Sequence, residues 1–167
     1  MSEEIDEVSA SLGSLNDVLW TLRETLGLIE YGLLVQRLVA EAGETRHLST
    51  AADQLDSACG RLRRVEIERA ASVDLVAGVL VLPDDVSLAQ VAEAAPEPWA
   101  SILTDHVDAL RELSASVTTR RVAAERVLRA GADAVGNALR SLTDPTVGDS
   151  LTQLDPALSG LRLDRRA

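Results

Sequence analysis

The 167-residue chain carries 16 basic and 27 acidic residues, a net charge of −11, which excludes sequence-independent binding to nucleic acid or to an anionic membrane surface, because both need a positive face. Its length suits one domain, and with Trp20, Tyr31 and Trp99 as the only aromatics and no Phe, packing falls to Leu, Val and Ala, which suit helix seams better than sheets. A lone Cys59 excludes an intrachain disulfide, the acidic start MSEEIDEVSA lacks the apolar stretch of a secretory signal, and no apolar run reaches the ~18 to 20 residues that cross a bilayer, so a soluble cytoplasmic protein is expected.

The first predicted helix spans residues 9–42. Leu12, Leu15, Leu19, Leu22, Leu26, Ile29 and Leu33 alternate steps of three and four, which places them on one face. A second row, Leu28, Tyr31, Val35 and Leu38, occupies another side of the same helix. The expectation is that the first half of helix one, up to about Leu26, meets one helix and its second half, from Ile29 to Leu38, is wedged between two, with helices two and three of this chain as the neighbours. Gly43 is placed to supply a left-handed C-terminal cap.

The second helix is predicted over 47–81, with Leu48, Ala52, Leu55, Cys59 and Leu62 in one row and Val65, Val73, Val76 and Leu80 continuing it less regularly. The short AGET connection implies antiparallel packing on helix one. Pro83 ends it. In the connector, residues 82–97, Ser87 and Gln90 have the spacing of a capping box for one short helix, and Pro98 suits the first position of the next.

The third long helix is predicted over 98–142. Trp99, Leu103, His106, Leu110, Leu113 and Val117 form its heptad row, which lapses for eleven residues and resumes as Leu128, Val135, Leu139 and Leu142, so the seam is expected to loosen in between. In the tail, residues 143–167, Val147, Leu151, Leu154, Leu158 and Leu161 again step four, three, four, three, but Gly148, Pro156 and Gly160 interrupt the pattern. Such a segment is expected to be partly flexible or ordered by a partner. The fold expected is all-α: an elongated antiparallel bundle or coiled coil of three long helices with a short connector helix and this tail, one domain over residues 1–142.

Residues that could carry chemistry are few. Glu44 and His47 have the Glu-x-x-His spacing of carboxylate-bridged di-iron bundles, but Leu103 stands three residues before the only other histidine, His106, so half of such a site is missing. His106 falls on the helix-three row and is expected to be structural, near Asp105 or Asp108. Cys59 reads as a small core hydrophobe. There is no glycine-rich phosphate loop, and the use of Arg for every basic residue reflects coding composition more than anion recognition. No catalytic residue, metal or cofactor is expected, and the protein is read as a non-enzymatic binding or scaffolding protein.

VLWTLRETLGLIEYGLLVQRLVAEAGETRHLSTAADQLDSACGRLRRVEIERA resembles the N-terminal two thirds of FlgN-type flagellar export chaperones. Their long leucine-rich helix ends in a turn similar to LVAEAG, and an Ala-rich helix follows with a segment similar to Leu62, Arg63, Glu66 and Arg69. The linker LAQVAEAAPEPWASILTDH is similar to one branch of the family. In all, the resemblance covers roughly Leu15 to Leu142. Where the family often carries Asn in the middle of its last long helix, this chain reads TTRRVAAER, with Asn137 further on.

The resemblance implies a cytoplasmic type III secretion chaperone that binds the C-terminal segments of hook-filament junction proteins, prevents premature assembly and delivers them to the export apparatus. The family's client binding is attributed to its C-terminal helical region. On this chain that implies Leu128, Val135, Leu139 and Leu142, with the tail residues Leu151, Leu154, Leu158 and Leu161. The alternative reading is a structural coiled-coil protein whose surplus apolar stripe makes a homodimer or larger homo-oligomer.

Overall fold

The computed structural model describes the backbone of residues 2–143 and the side chains of residues 6–141, and these residues contain helices and no strand. In chain order they form α1 (Ser2–Glu41), a 3-10 turn (Thr45–His47), α2 (Leu48–Val79), α3 (Leu88–Ala94) and α4 (Trp99–Thr143). The chain divides into two compact units, Met1–Val127 and Leu128–Ala167. The first unit is an all-α bundle. Tail positions Leu151, Leu154, Leu158 and Leu161 lie outside the described residues.

The leucine row of α1 is its spine. All seven members, from Leu12 to Leu33, are at most 8% exposed. Leu12, Leu15 and Leu19 pack with Val73 and Val76 of α2, Val91 and Ala92 of α3, and Leu103 of α4. Leu22 and Leu26 meet Val65, flanked by Leu62, Leu110 and Leu113. Ile29 and Leu33 close on Ala124, with Leu55, Ala58, Cys59 and Val117 against them. As α1 advances, its partners on α2 run backwards from Val76 to Leu55 while those on α4 run forwards from Leu103 to Ala124. Thus α2 is antiparallel to both other long helices, and Cys59 is a half-buried packing residue.

Three local signals produce the turns. Gly43 has φ +70°, and the N–H groups of Gly43 and Glu44 donate to the carbonyls of Ala40 and Val39 at 3.1 Å each. That pair of bonds is a Schellman cap, whose left-handed residue glycine adopts without steric cost. Ser87 caps α3 as expected: its N–H donates to Gln90 Oε1 at 2.8 Å and its Oγ accepts from the Gln90 N–H at 3.3 Å. Pro98 stands one residue outside α4, where its carbonyl accepts from the Ile102 N–H.

The end of α2 repeats the Schellman geometry with the wrong residue type. Leu82 N–H donates to the Ala77 carbonyl at 2.8 Å and Val81 N–H to that of Gly78 at 3.2 Å, so Val81 takes the left-handed position with φ 55°. A β-branched residue there crowds the adjacent carbonyl and costs roughly 1 to 2 kcal/mol. Its side chain is 89% exposed and packs on little. Replacing Val81 by Gly is therefore expected to stabilise the protein by about 0.5 to 1 kcal/mol after glycine's extra chain entropy is subtracted. A urea titration checks this, and an unchanged or lower midpoint counts against the strain.

Several expectations need correction: α1 begins at Ser2 rather than at residue 9, and its first half meets α2, α3 and α4 rather than one helix. The heptad row of α4 does not lapse after Val117, because it continues through Arg120 and Ala124. Ala124 is 1% exposed against Ile29 and Leu33, while Arg120 Nε donates to Glu30 Oε1 of α1 at 2.8 Å and Ser116 Oγ donates to the same oxygen at 2.6 Å. A small residue and an ion pair thus continue a seam that large aliphatic residues alone would interrupt. Nor is the second row of α1 covered by α2 and α4. Leu28 and Leu38 are each 49% exposed and Tyr31 65% exposed, with only Val35 of that row half-buried.

Candidate functional site

Two arrangements stand apart from simple core packing. The first is built on His106. Its position on the inward row of α4 leaves the ring 1% exposed, and the residues that meet it come from α1, at positions 16, 20 and 23. Those three fall on the flank beside the leucine row, one helical turn apart, and so face a single point on the neighbouring helix.

His106 lies with its Nε2 3.0 Å from Asn16 Oδ1 and its Nδ1 3.4 Å from Arg23 Nη1. A guanidinium can only donate, so Nδ1 holds a lone pair, and the proton sits on Nε2, donating to Asn16. The Trp20 ring meets the imidazole edge-on with centroids 5.1 Å apart, and Arg23 stacks over Trp20 at 4.4 Å. Burial, and then the Arg23 charge, push the imidazole pKa below its ordinary 6.5, with Asp105 opposing. Asp108 is turned instead to Arg111, at 3.0 Å. The expectation that α4 itself supplies the histidine's neighbours holds only for the Asp105 charge.

Both ring nitrogens are committed to protein partners, so this imidazole is a neutral structural element. It fits the register in which the leucine row packs α1 against α4, and a one-residue slip would separate all three contacts. Asn16, Trp20 and Arg23 have no individual motif, and only the inward position of His106 hinted that polar partners must exist. A second cross-helix contact is Glu30. Hydrogen bonds from Ser116 and Arg120 hold its carboxyl below the usual range against the cost of its own desolvation.

The second arrangement is the face of α4 beyond Val127. Leu128 is half-buried, Val135 61% exposed and Leu139 59% exposed. At ~100° per residue, Leu128, Val135, Leu139 and Leu142 fall within an arc of about 60°, so the helix aligns them as the sequence predicts. The Leu142 backbone belongs to α4, while its side chain lies outside the described part, as do Leu151, Leu154, Leu158 and Leu161. From 129 to 141 every residue except Gly136 is exposed.

The Glu44–His47 pair builds no ligand set. Glu44 turns its carboxylate to Arg46 at 3.1 Å, His47 is exposed on the 3-10 turn, and no group of three or more metal-ligating side chains occurs among the described residues. No described helix is long and apolar enough to cross a membrane. Comparison with known proteins finds no matching family model, no matching curated protein and no matching solved structure.

Proposed function

We propose that this chain is a cytoplasmic, non-enzymatic export chaperone of the FlgN type. It binds the C-terminal segments of hook-filament junction proteins, keeps them from assembling early and hands them to the flagellar export apparatus. The observation that carries the reading is the exposed apolar alignment of Val135 and Leu139 on a continuous helix. A client segment destined for a helical assembly carries an apolar stripe of its own, and helix-on-helix burial covers both. The ordered resemblance from Leu15 to Leu142 supports the same reading, and the tail leucines 151, 154, 158 and 161 extend the proposed binding surface. The reading requires no cofactor, metal or nucleic acid.

Substitution tests it. Each apolar side chain buried on binding is worth on the order of 1.5 to 3 kcal/mol before ordering costs, so Val135→Asp is expected to weaken binding of a hook-filament junction protein by about tenfold or more. Leu139→Asp and Leu154→Asp are expected to act in the same direction. Because Val135 and Leu139 are exposed, helicity should stay near wild type. Calorimetry with the purified junction protein checks it, and wild-type affinity in all three variants would place the client elsewhere. The uncovered second row of α1 also suits a structural homo-oligomer, the competing reading. Light scattering separates the two: a tight homo-oligomer with no junction-protein complex defeats the chaperone reading.

A further inference from the structure

The uncovered row of α1 borders a groove that α2 completes. Leu28 and Tyr31 form one wall, and Arg61 and Arg64 of α2 form the other, around a cavity of about 370 Å³. Its floor is made of small residues, Gly32 and Ala58. A Cβ at position 32 would stand 3.2 Å from Leu55 Cδ1, so glycine lets α2 approach α1 closely here. Both walls repeat at i and i+3, which keeps the apolar pair and the basic pair level with one another along antiparallel helices.

The charge of this groove is opposite to that of the chain. Its lining contains two arginines and no carboxylate, in a protein of net charge −11. Arg61 holds Glu24 only loosely, at 3.8 Å with both side chains solvent-exposed, and such pairs contribute little. Arg64 is exposed and makes no ion pair among the described residues. Planar guanidinium groups on one wall and an apolar stripe on the other match a helix with leucine-type residues on one face and carboxylates along its flank.

We infer that this α1–α2 face docks an acidic amphipathic helix of a partner protein. The partner's apolar side chains lie on Leu28 and Tyr31, and its carboxylates pair with Arg61 and Arg64. A second copy of this chain fits less well, because a two-fold contact through so small a face brings the same basic edges together. The surface is distinct from the α4 face proposed for the client and does not depend on that reading.

The test uses the full chain and two designed helical peptides with the same leucine stripe, one flanked by Glu and the other by Lys. Anisotropy titrations are expected to show the Glu peptide binding about tenfold or more tighter than the Lys peptide, with affinity falling as salt rises. Arg64→Glu and Tyr31→Ala should each weaken the Glu peptide by about tenfold while leaving the thermal melt unchanged, since both side chains are exposed. No binding of the Glu peptide, equal binding of both peptides, or no loss in either variant overturns the inference. A dimer of the free protein that Tyr31→Ala dissolves also overturns it, by assigning the face to a second copy.

Discussion

Leu22→Asp is expected to abolish the cooperative unfolding transition of this protein. Leu22 is 2% exposed in the middle of the α1 row, packed with Leu26 and Val65 and flanked by Val18, Leu62, Leu110 and Leu113. Truncating such a leucine costs about 2 to 5 kcal/mol. An aspartate adds the cost of a buried carboxyl with no designed partner, several kcal/mol more even if it protonates. Against a total stability of about 5 to 15 kcal/mol for a domain, the sum removes most or all of the native population. Circular dichroism with urea titration reads the result. The matched control is Leu28→Asp on the second row, 49% exposed, whose expected cost is below about 1 kcal/mol. Equal damage from both would mean that burial does not set the outcome.

Acidification from neutral pH to about pH 5 is expected to lower stability through His106, and His106→Ala is expected to remove most of that dependence. Burial and Arg23 depress the folded-state pKa below the ordinary 6.5, so the unfolded chain takes up the proton more readily. The contribution is fully present above the unfolded value of about 6.5 and is lost as pH falls toward the lower folded value. Protonation puts a hydrogen on Nδ1, facing the Arg23 guanidinium 3.4 Å away. Glu30, also depressed, contributes stability present above its ordinary value of 4.5 and lost only below it. The loss through His106 therefore sets in at a higher pH than the loss through Glu30. His106→Ala itself should cost about 2 to 4 kcal/mol at neutral pH, from the cavity and from Asn16 and Arg23 left without their partner. Urea midpoints measured from pH 7.5 to 5 check both parts, and an unchanged slope in the variant would remove His106 as its source.

The elements most legible in advance depend on short-range regularity. Helix α1 announces its buried face because seven large aliphatic residues keep a strict three-four step, and Gly43 and the Ser87–Gln90 pair mark their caps within a few positions. Of the candidate client face, the alignment of Leu128, Val135 and Leu139 is likewise a consequence of helical period. Less legible was anything that depended on which residue type a seam tolerates. Ala124 reads as a gap in a hydrophobic row because its side chain is small, although it is buried against Ile29 and Leu33. The second row of α1 misled in the opposite direction: Leu28, Tyr31 and Leu38 look like core by composition and stand at the surface.

By itself, then, the sequence determined the long helices, the Gly43 and Ser87 caps and the antiparallel pairing of the first two helices, because each follows from spacings of three to seven residues and from the short AGET connection. Only the tertiary structure decided the polar pairings across helices. Asn16 and Arg23 meet His106 across 90 and 83 positions, and Glu30 meets Ser116 and Arg120 across 86 and 90. No local periodicity encodes a contact at that distance; it arises when the leucine row sets the register of α1 against α4 and the polar flanks fall opposite one another. The same register leaves Leu28 and Tyr31 beside Arg61 and Arg64 rather than beneath a third helix, because α2 and α4 are both already engaged by the other face of α1.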